Sequence, residues 1–283
     1  MKLETPARVW ITGTNGLIGS YLMRSAPVQA TARALARPEV DLLDSASVTK
    51  LFKADQPSTI IHCAAMAKPN DCDANPDLAR RTNIEVTKHL AELTSNIPFI
   101  FFSTDLVFDG GQGNYTEEDS PNPLSLYAET KAHAEELVRK HPHHTIIRLS
   151  LTGGHSREGN RGFNEEIKNA WHCGKTLNLF TDEYRCPASA DVIARAVWEL
   201  ITQKARGIYH LCGAERLSRF QIGELLARKH PELNPKINPG SRKDYKGPPR
   251  PPDTSMNCAK AQRLLSFQLP RFSDWLAQDT TGF

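Results

Sequence analysis

The sequence predicts an α/β fold, a doubly wound parallel sheet with a smaller C-terminal domain. Two observations predict it. From Arg8 to Leu149, short continuous apolar runs alternate with amphipathic stretches. A strand that is apolar on every residue is buried on both faces, which a parallel sheet covered by helices provides. After Ser150 that alternation gives way to polar loops and separate helical signals.

The elements follow in order. Arg8-Val9-Trp10-Ile11-Thr12 is the first strand, followed by a glycine turn and a helix over residues 17–25. Residues 27–31 are the expected second strand, and residues 58–65, dominated by Ile60 and Ile61, the third. Residues 78–93 have helical spacing, with Leu78, Ile84 or Val86, Leu90 and Leu93 on one side. Phe99-Ile100-Phe101-Phe102 is a fourth strand, residues 126–138 a helix and residues 145–149 a fifth strand. Right-handed crossovers are the default between such strands. Further helices are expected at 163–171, 191–203 and 218–229, with a short strand at 208–211. Residues 231–252 hold seven prolines together with Arg242, Lys243, Lys246 and Arg250. That stretch is expected to lack regular structure, as a surface linker or an ordered loop near a site.

The chain has 283 residues, 39% of them apolar. That suffices for one large core, or one core with a satellite. A net charge of +3 gives no case for nucleic acid or a membrane as partner. The cysteines are Cys63, Cys72, Cys173, Cys186, Cys212 and Cys258. No two form a C-x-x-C pair, so free, mostly buried thiols in a reducing cytoplasm are expected. Met1 to Val9 lacks the apolar stretch of a signal peptide, and no window reaches transmembrane length. His141, His143 and His144 read as a helix-to-strand loop, because no neighbouring acid or cysteine completes a metal-ligand set. Trp171 and Trp198 sit in helical patterns as core residues.

Gly13-Thr14-Asn15-Gly16-Leu17-Ile18-Gly19 follows a strand and opens a helix, the context of a Rossmann-type dinucleotide turn. Gly13 would permit the tight turn, Gly16 a close approach of pyrophosphate, and Gly19 close packing of helix on sheet. The helix N-terminus would then face the anion. Beyond the expected second strand, Ala30 to Arg37 offers no acid for a ribose 2′-hydroxyl but two arginines, Arg33 and Arg37. A phosphate suits them, which favours NADP(H) over NAD(H), with NAD(H) left open. Asp41 would accept from the adenine amine or serve a turn.

Tyr127-Ala128-Glu129-Thr130-Lys131 puts a phenol and a cation on one helical face. A cation there favours the phenolate, lowering the phenol from about 10 and making Tyr127 an acid/base near neutral pH. Lys131 could also bond the nicotinamide ribose. Ser103-Thr104-Asp105 ends the fourth strand, and a hydroxyl at that end can hold a substrate oxygen while Tyr127 moves the proton.

With these pieces in order, the chain resembles the extended short-chain dehydrogenase/reductases, most closely the dTDP-4-dehydrorhamnose reductase branch. The matching pieces are Thr12 to Gly19, Ile61-His62-Cys63-Ala64-Ala65, Asn83, Ser103-Thr104-Asp105-Leu106-Val107-Phe108-Asp109-Gly110, Tyr115-Thr116-Glu117-Glu118-Asp119, Pro123-Leu124-Ser125-Leu126-Tyr127 with Lys131, and Arg250-Pro251. The resemblance implies Thr104 as the triad hydroxyl, Tyr127 as acid/base and Lys131 as its modulator. It implies cofactor contacts at Gly13, Asn15, Gly16, Leu17, Ile18, Gly19, Leu42, Cys63, Ala64, Ala65, Asn83 and Ser103. It also implies substrate contacts at Asp105, Leu106 and Arg250. Residues 1–150 would bind the dinucleotide. Residues 151–283 would mainly form a smaller substrate domain, with some segments returning to the Rossmann sheet. Three departures lie on the substrate side. Leu106 stands where the branch has tyrosine, Arg148-Leu149-Ser150-Leu151-Thr152-Gly153 lacks an aromatic pair, and the loop Met66-Ala67-Lys68-Pro69-Asn70-Asp71 differs. Val40-Asp41-Leu42-Leu43-Asp44-Ser45 and His62-Cys63-Ala64-Ala65 also resemble the regulatory β subunit of methionine adenosyltransferase, which has the same fold.

The expected function is NADPH-dependent reduction of a nucleotide-activated 4-keto sugar. Epimerase or dehydratase chemistry and NADP binding without turnover remain alternatives. The expected partner is a small nucleotide-sugar substrate, and a homodimer is left open. Phe163-Asn164 could reach that substrate, and the basic stretch Arg242 to Arg250 could clamp its pyrophosphate or lie in solvent.

Overall fold

Alternate residues of each central strand face opposite sides of the sheet, and both sides are apolar. The computed structural model describes residues 7–278. Met1 to Pro6, the first part of the expected leaderless N-terminus, lie outside the described residues, as do residues 279–283. In chain order the elements are β1 (Ala7–Thr12), α1 (Leu17–Arg24), β2 (Ala30–Leu35), α2 (Ser45–Asp55), β3 (Thr59–His62), α3 (Pro69–Ala74), α4 (Pro76–Arg80), α5 (Val86–Leu93), β4 (Phe99–Thr104), α6 (Leu126–Val138), β5 (Thr145–Leu149) and β6 (Thr152–Gly153). Then come α7 (Phe163–His172), β7 (Thr176–Phe180), β8 (Tyr184–Arg185), β9 (Ala188–Ser189), α8 (Ala190–Thr202), β10 (Gly207–Leu211), β11 (Leu217–Ser218), α9 (Arg219–Lys229), β12 (Lys236–Gly240), α10 (Ala259–Gln262) and α11 (Phe272–Gln278).

Six strands form one parallel sheet in the order β10-β5-β4-β3-β1-β2. Val9, Ile11, Ile61, Ile100, Phe102 and Ile147 join one buried cluster with Leu22 of α1 and Ile193 and Val197 of α8. Trp10, Ile60, Phe99, Phe101 and Ile146 join another with Val48, Leu90, Ala134 and Val138, from α2, α5 and α6. Two covered faces explain why these strands read as unbroken apolar runs. A third cluster unites Phe163, Ile167 and Trp171 of α7 with Ile222 and Leu226 of α9 and Phe272 and Leu276 of α11. Beside it, β7 pairs with β12 in parallel and β8 with β11 antiparallel. Trp171 and Trp198 are core residues, as expected.

Four expectations are corrected. The second strand is Ala30–Leu35, not residues 27–31. Pro27 accepts a turn bond from the Ala30 nitrogen and Val28 is 94% exposed. β2 is a sheet edge made largely of alanine, so it lacks an apolar run. The helix expected over 78–93 is interrupted by one π turn, Arg81–Glu85, between α4 and α5. Such a turn inserts a residue and re-aims a side chain, here Asn83. The proline-rich stretch does carry regular structure, because β12 lies within it. Pro239 faces Leu179 in a two-stranded pair, where a missing donor is tolerated at an edge. Finally, Cys173 is exposed rather than buried, since it caps the C-terminal end of α7.

Candidate active site

Strand order reverses between β1 and β3, and in open α/β sheets ligands bind beyond the carboxyl ends at that point. The glycine turn leaves β1 there, and Cys63-Ala64-Ala65 leaves β3. Gly13 has φ +66°, and a Cβ on it would lie 2.6 Å from the Ala64 nitrogen. A Cβ on Gly19 would lie 2.5 Å from the Gly13 carbonyl oxygen. The first glycine therefore makes the turn and the third lets α1 lie against it. Gly16 is the N-cap of α1, and no side chain caps the helix's first amides, which leaves them free to meet an anion.

A buried hydrogen-bond chain fixes this cradle to the rest of the site. The Ala64 nitrogen donates to Thr12 Oγ1 at 3.1 Å, and Thr12 Oγ1 lies 2.8 Å from His62 Nδ1. His62 Nε2 lies 3.2 Å from Thr87 Oγ1, which donates to the Asn83 carbonyl at 2.8 Å. One imidazole tautomer, protonated on Nε2, satisfies all four. Burial, then the nearby Lys131 charge, pushes His62 down to about 3, so it stays neutral. The Asn83 amide bonds both backbone groups of Met66 and donates to Thr130 Oγ1, which donates to the Tyr127 carbonyl at 2.7 Å.

A cleft of about 960 Å³ runs along the strand ends. It is lined by Gly13, Gly16, Leu17, Ile18 and Gly19, by Cys63 and Ala65, and by Ser103, Thr104, Leu106, Tyr127, Lys131 and Arg250. A groove of about 500 Å³ continues from Gly13 and Gly16 past Asn15 and Ala64 to Arg37, Asp41 and Leu42. Three expected site residues lie elsewhere. Arg33 is on β2, paired with Glu39 at 2.6 Å and Asp55 at 3.0 Å. Asn83 braces the Met66 loop. Asp105 is fully buried, bonded by Arg185 through both carboxylate oxygens, by Ser150 at 2.7 Å and by Thr254 at 3.0 Å. It ties β4 to β5, β8 and the C-terminal segment rather than facing the cleft. Asp41 spends one oxygen on a turn, accepting from the Leu43 nitrogen at 3.0 Å.

Ser103 and Thr104 end β4, and α6 starts from the Ser125 cap, which accepts from the Ala128 nitrogen. This brings Tyr127 and Lys131, one turn apart, to the cleft floor. Thr104 Oγ1 donates to Asp105 Oδ1 at 3.3 Å and accepts from the Leu106 nitrogen at 3.2 Å. Burial pushes the Tyr127 phenol up, with Thr104 opposing and Asp105 adding to the rise. The expected lowering is thus reversed: loss of solvation outweighs any nearby cation. Lys131 Nζ lies 4.0 Å from the centre of the Phe101 ring. Burial pushes it down to about 7, with Glu135 opposing. Tyr127 therefore keeps its proton at neutral pH, which suits a proton donor, while Lys131 titrates there. The Ser103 hydroxyl is buried without a partner among the described residues.

The far wall carries charges that the sequence reading missed. Arg250 forks onto Glu183, with Nη2 2.9 Å from Oε1. Glu183 lies 3.9 Å from Arg185. Burial raises the Glu183 carboxyl, but Arg250, Arg219 and Arg185 outweigh it and hold it below its usual value. Burial pushes Arg219 down to about 10, and its Nη1 lacks a hydrogen-bond partner among the described residues. Glu183, Arg185 and Arg219 all line the cleft. The signal for Glu183 and Arg185 was Glu183-Tyr184-Arg185, charges at i and i+2 that an extended segment puts on one face. Across the mouth, Tyr245 Oη lies 3.3 Å from Asn70 Oδ1 and Lys68 pairs with Glu166 at 3.4 Å. Phe163 lines the cleft, whereas Asn164 is buried against the Gly154 backbone.

The sheet with its glycine turn, and the Thr104, Tyr127 and Lys131 side chains beside it, define an NAD(P)-dependent oxidoreductase of the short-chain dehydrogenase/reductase class. Residues 7–280 match the RmlD substrate binding domain family, and the chain belongs to that family. It is 30% identical to a dTDP-4-dehydrorhamnose reductase of Sinorhizobium fredii over 282 residues, 94% of each chain. It is 27% identical to methionine adenosyltransferase 2 subunit beta of Xenopus laevis, over 91% of this chain and 82% of that one. Among solved structures, a dTDP-4-dehydrorhamnose reductase from Bacillus anthracis in complex with NADP superposes with a TM-score of 0.86 at 23% identity, covering 96% and 97% of the two chains. No described helix is long and apolar enough to cross a membrane.

Proposed function

We propose that this protein is an NADPH-preferring reductase of a nucleotide-activated 4-keto sugar. The observation that carries the proposal is the convergence of Thr104, Tyr127 and Lys131 on one cleft with the glycine turn. The cleft fits a dinucleotide: with its adjoining groove it runs from the glycine turn to Arg37, no side chain caps α1, and an unpartnered Ser103 hydroxyl lines it. Gly13, Gly16, Leu17, Ile18 and Gly19 would hold the pyrophosphate. Arg37 would hold a 2′-phosphate, with Asp41 and Leu42 along the adenosine. When bound, the dinucleotide supplies the hydride.

The chain supplies position and a proton. Thr104 Oγ1 orients the substrate oxygen, and Tyr127 Oη gives that oxygen its proton as negative charge develops. Lys131 Nζ holds the ribose and stabilises the phenolate that remains. On the far wall, Arg185, Arg219 and Arg250 face a single wall carboxylate, Glu183, because Asp105 is sealed behind Arg185. With Arg185 paired to Asp105 and Arg250 to Glu183, Arg219 is the wall cation without an ion-pair partner among the described residues, and it suits an anionic substrate such as a nucleotide-linked sugar.

The relatives named as methionine adenosyltransferase 2 subunit beta favour a second reading, dinucleotide binding that regulates a partner enzyme. Oxidation of NADPH against a panel of nucleotide-linked 4-keto-6-deoxy sugars separates the two. Turnover that Tyr127→Phe abolishes is the result expected of a reductase. Tight NADPH binding with no turnover on any member would overturn it in favour of the regulatory reading.

A further inference from the structure

A second hollow, about 470 Å³, lies apart from the cleft and shares no lining residue with it. Three cysteines from distant parts of the chain meet in its wall. Cys186 lies between β8 and β9, Cys212 directly follows β10, and Cys258 precedes α10. The Cys212 and Cys258 sulfurs are 3.2 Å apart, and all three thiols are free. An approach of roughly 1 Å would bring the two sulfurs to bonding distance. Access differs between them. Cys258 is half-buried, whereas Cys212 is 1% exposed. Among the described residues no group of three or more His, Cys, Asp or Glu side chains could hold a metal ion.

We propose that Cys212 and Cys258 form a peroxide-oxidisable dithiol that closes to an intrachain disulfide. The Cys258 thiolate attacks one oxygen of hydrogen peroxide and the O–O bond breaks. The departing hydroxide takes up the proton lost by the thiol, leaving as water, and Cys258 becomes a sulfenic acid. The Cys212 sulfur then attacks the Cys258 sulfur and the S–O bond breaks. The second hydroxide leaves as water with the Cys212 proton. Two thiols lose two electrons and two protons, and one peroxide becomes two waters.

Cys186 is the competing partner. It lines the same hollow; the interaction with Cys212 holds its thiol below the usual range, while Cys186 and Cys258 together raise Cys212. Geometry favours Cys258 as the site of attack, because it is the sulfur a solute reaches first. The bond would also have a mechanical effect. Cys258 ends the stretch that starts at Arg250 and includes Thr254, whose hydroxyl bonds Asp105. Closure would tether that stretch to the end of β10.

The test uses the full chain, treated with hydrogen peroxide, alkylated and digested without reduction. Mass spectrometry is expected to find the Cys212 and Cys258 peptides linked, released by dithiothreitol, and unlinked in Cys258→Ser while retained in Cys173→Ser. Amides of residues 250–257 are expected to exchange more slowly in the oxidised protein. A Cys186–Cys212 link, or free Cys212 and Cys258 under conditions that oxidise the exposed Cys173, would overturn the assignment. Because the mapping is read on the unmutated protein, it does not depend on how a variant folds. A mapped bond with unchanged exchange over 250–257 would overturn the tethering.

Discussion

Arg148 and Glu135 face each other across β5 and α6 as a forked pair sealed from solvent, Nε to Oε1 at 2.9 Å and Nη2 to Oε2 at 2.6 Å. Glu135 lies one helical turn beyond Lys131 and is the group that most opposes the fall of its pKa. Replacing one partner of a buried pair strands the other charge, at about 3–5 kcal/mol. Glu135→Gln is therefore expected to lower unfolding free energy by about that amount, read from denaturant midpoints at constant slope. A loss under about 1 kcal/mol would show the pair to be solvated in practice.

Tyr127→Phe should leave NADPH affinity within a factor of about two and slow turnover about 10²- to 10⁴-fold, the usual range for a positioned proton donor. Steady-state kinetics with cofactor titration checks both halves. A mutant that turns over normally places the proton elsewhere.

Lys131 gives a pH dependence whose sign is fixed by its direction. Its pKa is lowered to about 7, so the ammonium is present below that pH and lost above it. On the proposed reading the cation serves the cofactor ribose, so NADPH affinity of the free protein is expected to weaken as pH rises through about 7. Lys131→Met should bind more weakly throughout and lose that limb. Fluorescence titration across the range decides it, and a limb that survives in the mutant assigns the titration to another group.

The two arginines once equivalent in the sequence now separate. Arg37 lines the adenosine groove, while Arg33 is occupied by Glu39 and Asp55. Arg37→Ala should reduce the NADPH-over-NADH preference by about tenfold or more, as expected for a hydrogen bond to a charged group worth about 1.5–3 kcal/mol. Arg33→Ala should leave that ratio unchanged. Equal effects of both substitutions would show that Arg33 leaves its carboxylates for the cofactor.

Strong local signals carried most of this architecture. The boundaries of α6 and β5 follow from residue pattern, because Ser125 caps one and Ile146, Ile147 and Leu149 mark the other. The glycine turn and the Tyr127–Lys131 pair are equally local. What stayed hidden depends on pairing at a distance. β2 is an alanine-rich edge whose register comes from β1, and β12 exists only because β7 lies beside it. Asp105 looked like a cleft residue because its neighbour Thr104 is one; only Arg185, 80 residues away, shows that it turns inward. Arg219 likewise gives no sign in the sequence that β11 and α9 bring it to the cleft.

The buried chain from Thr12 through His62 and Thr87 to Asn83 and Thr130 joins the loop against the glycine turn to the helix of Tyr127, so a substitution at any link is expected to disturb both. The adenosine end is held differently. Residues 36–44 are closed by their own turns, with the Ala36 carbonyl taking the Glu39 nitrogen and the Asp41 carbonyl the Asp44 nitrogen. On the proposed reading, the residues that select the coenzyme sit in a loop closed by its own turns, apart from the buried chain behind Tyr127, so a change at Arg37 is expected to shift coenzyme preference without displacing Tyr127.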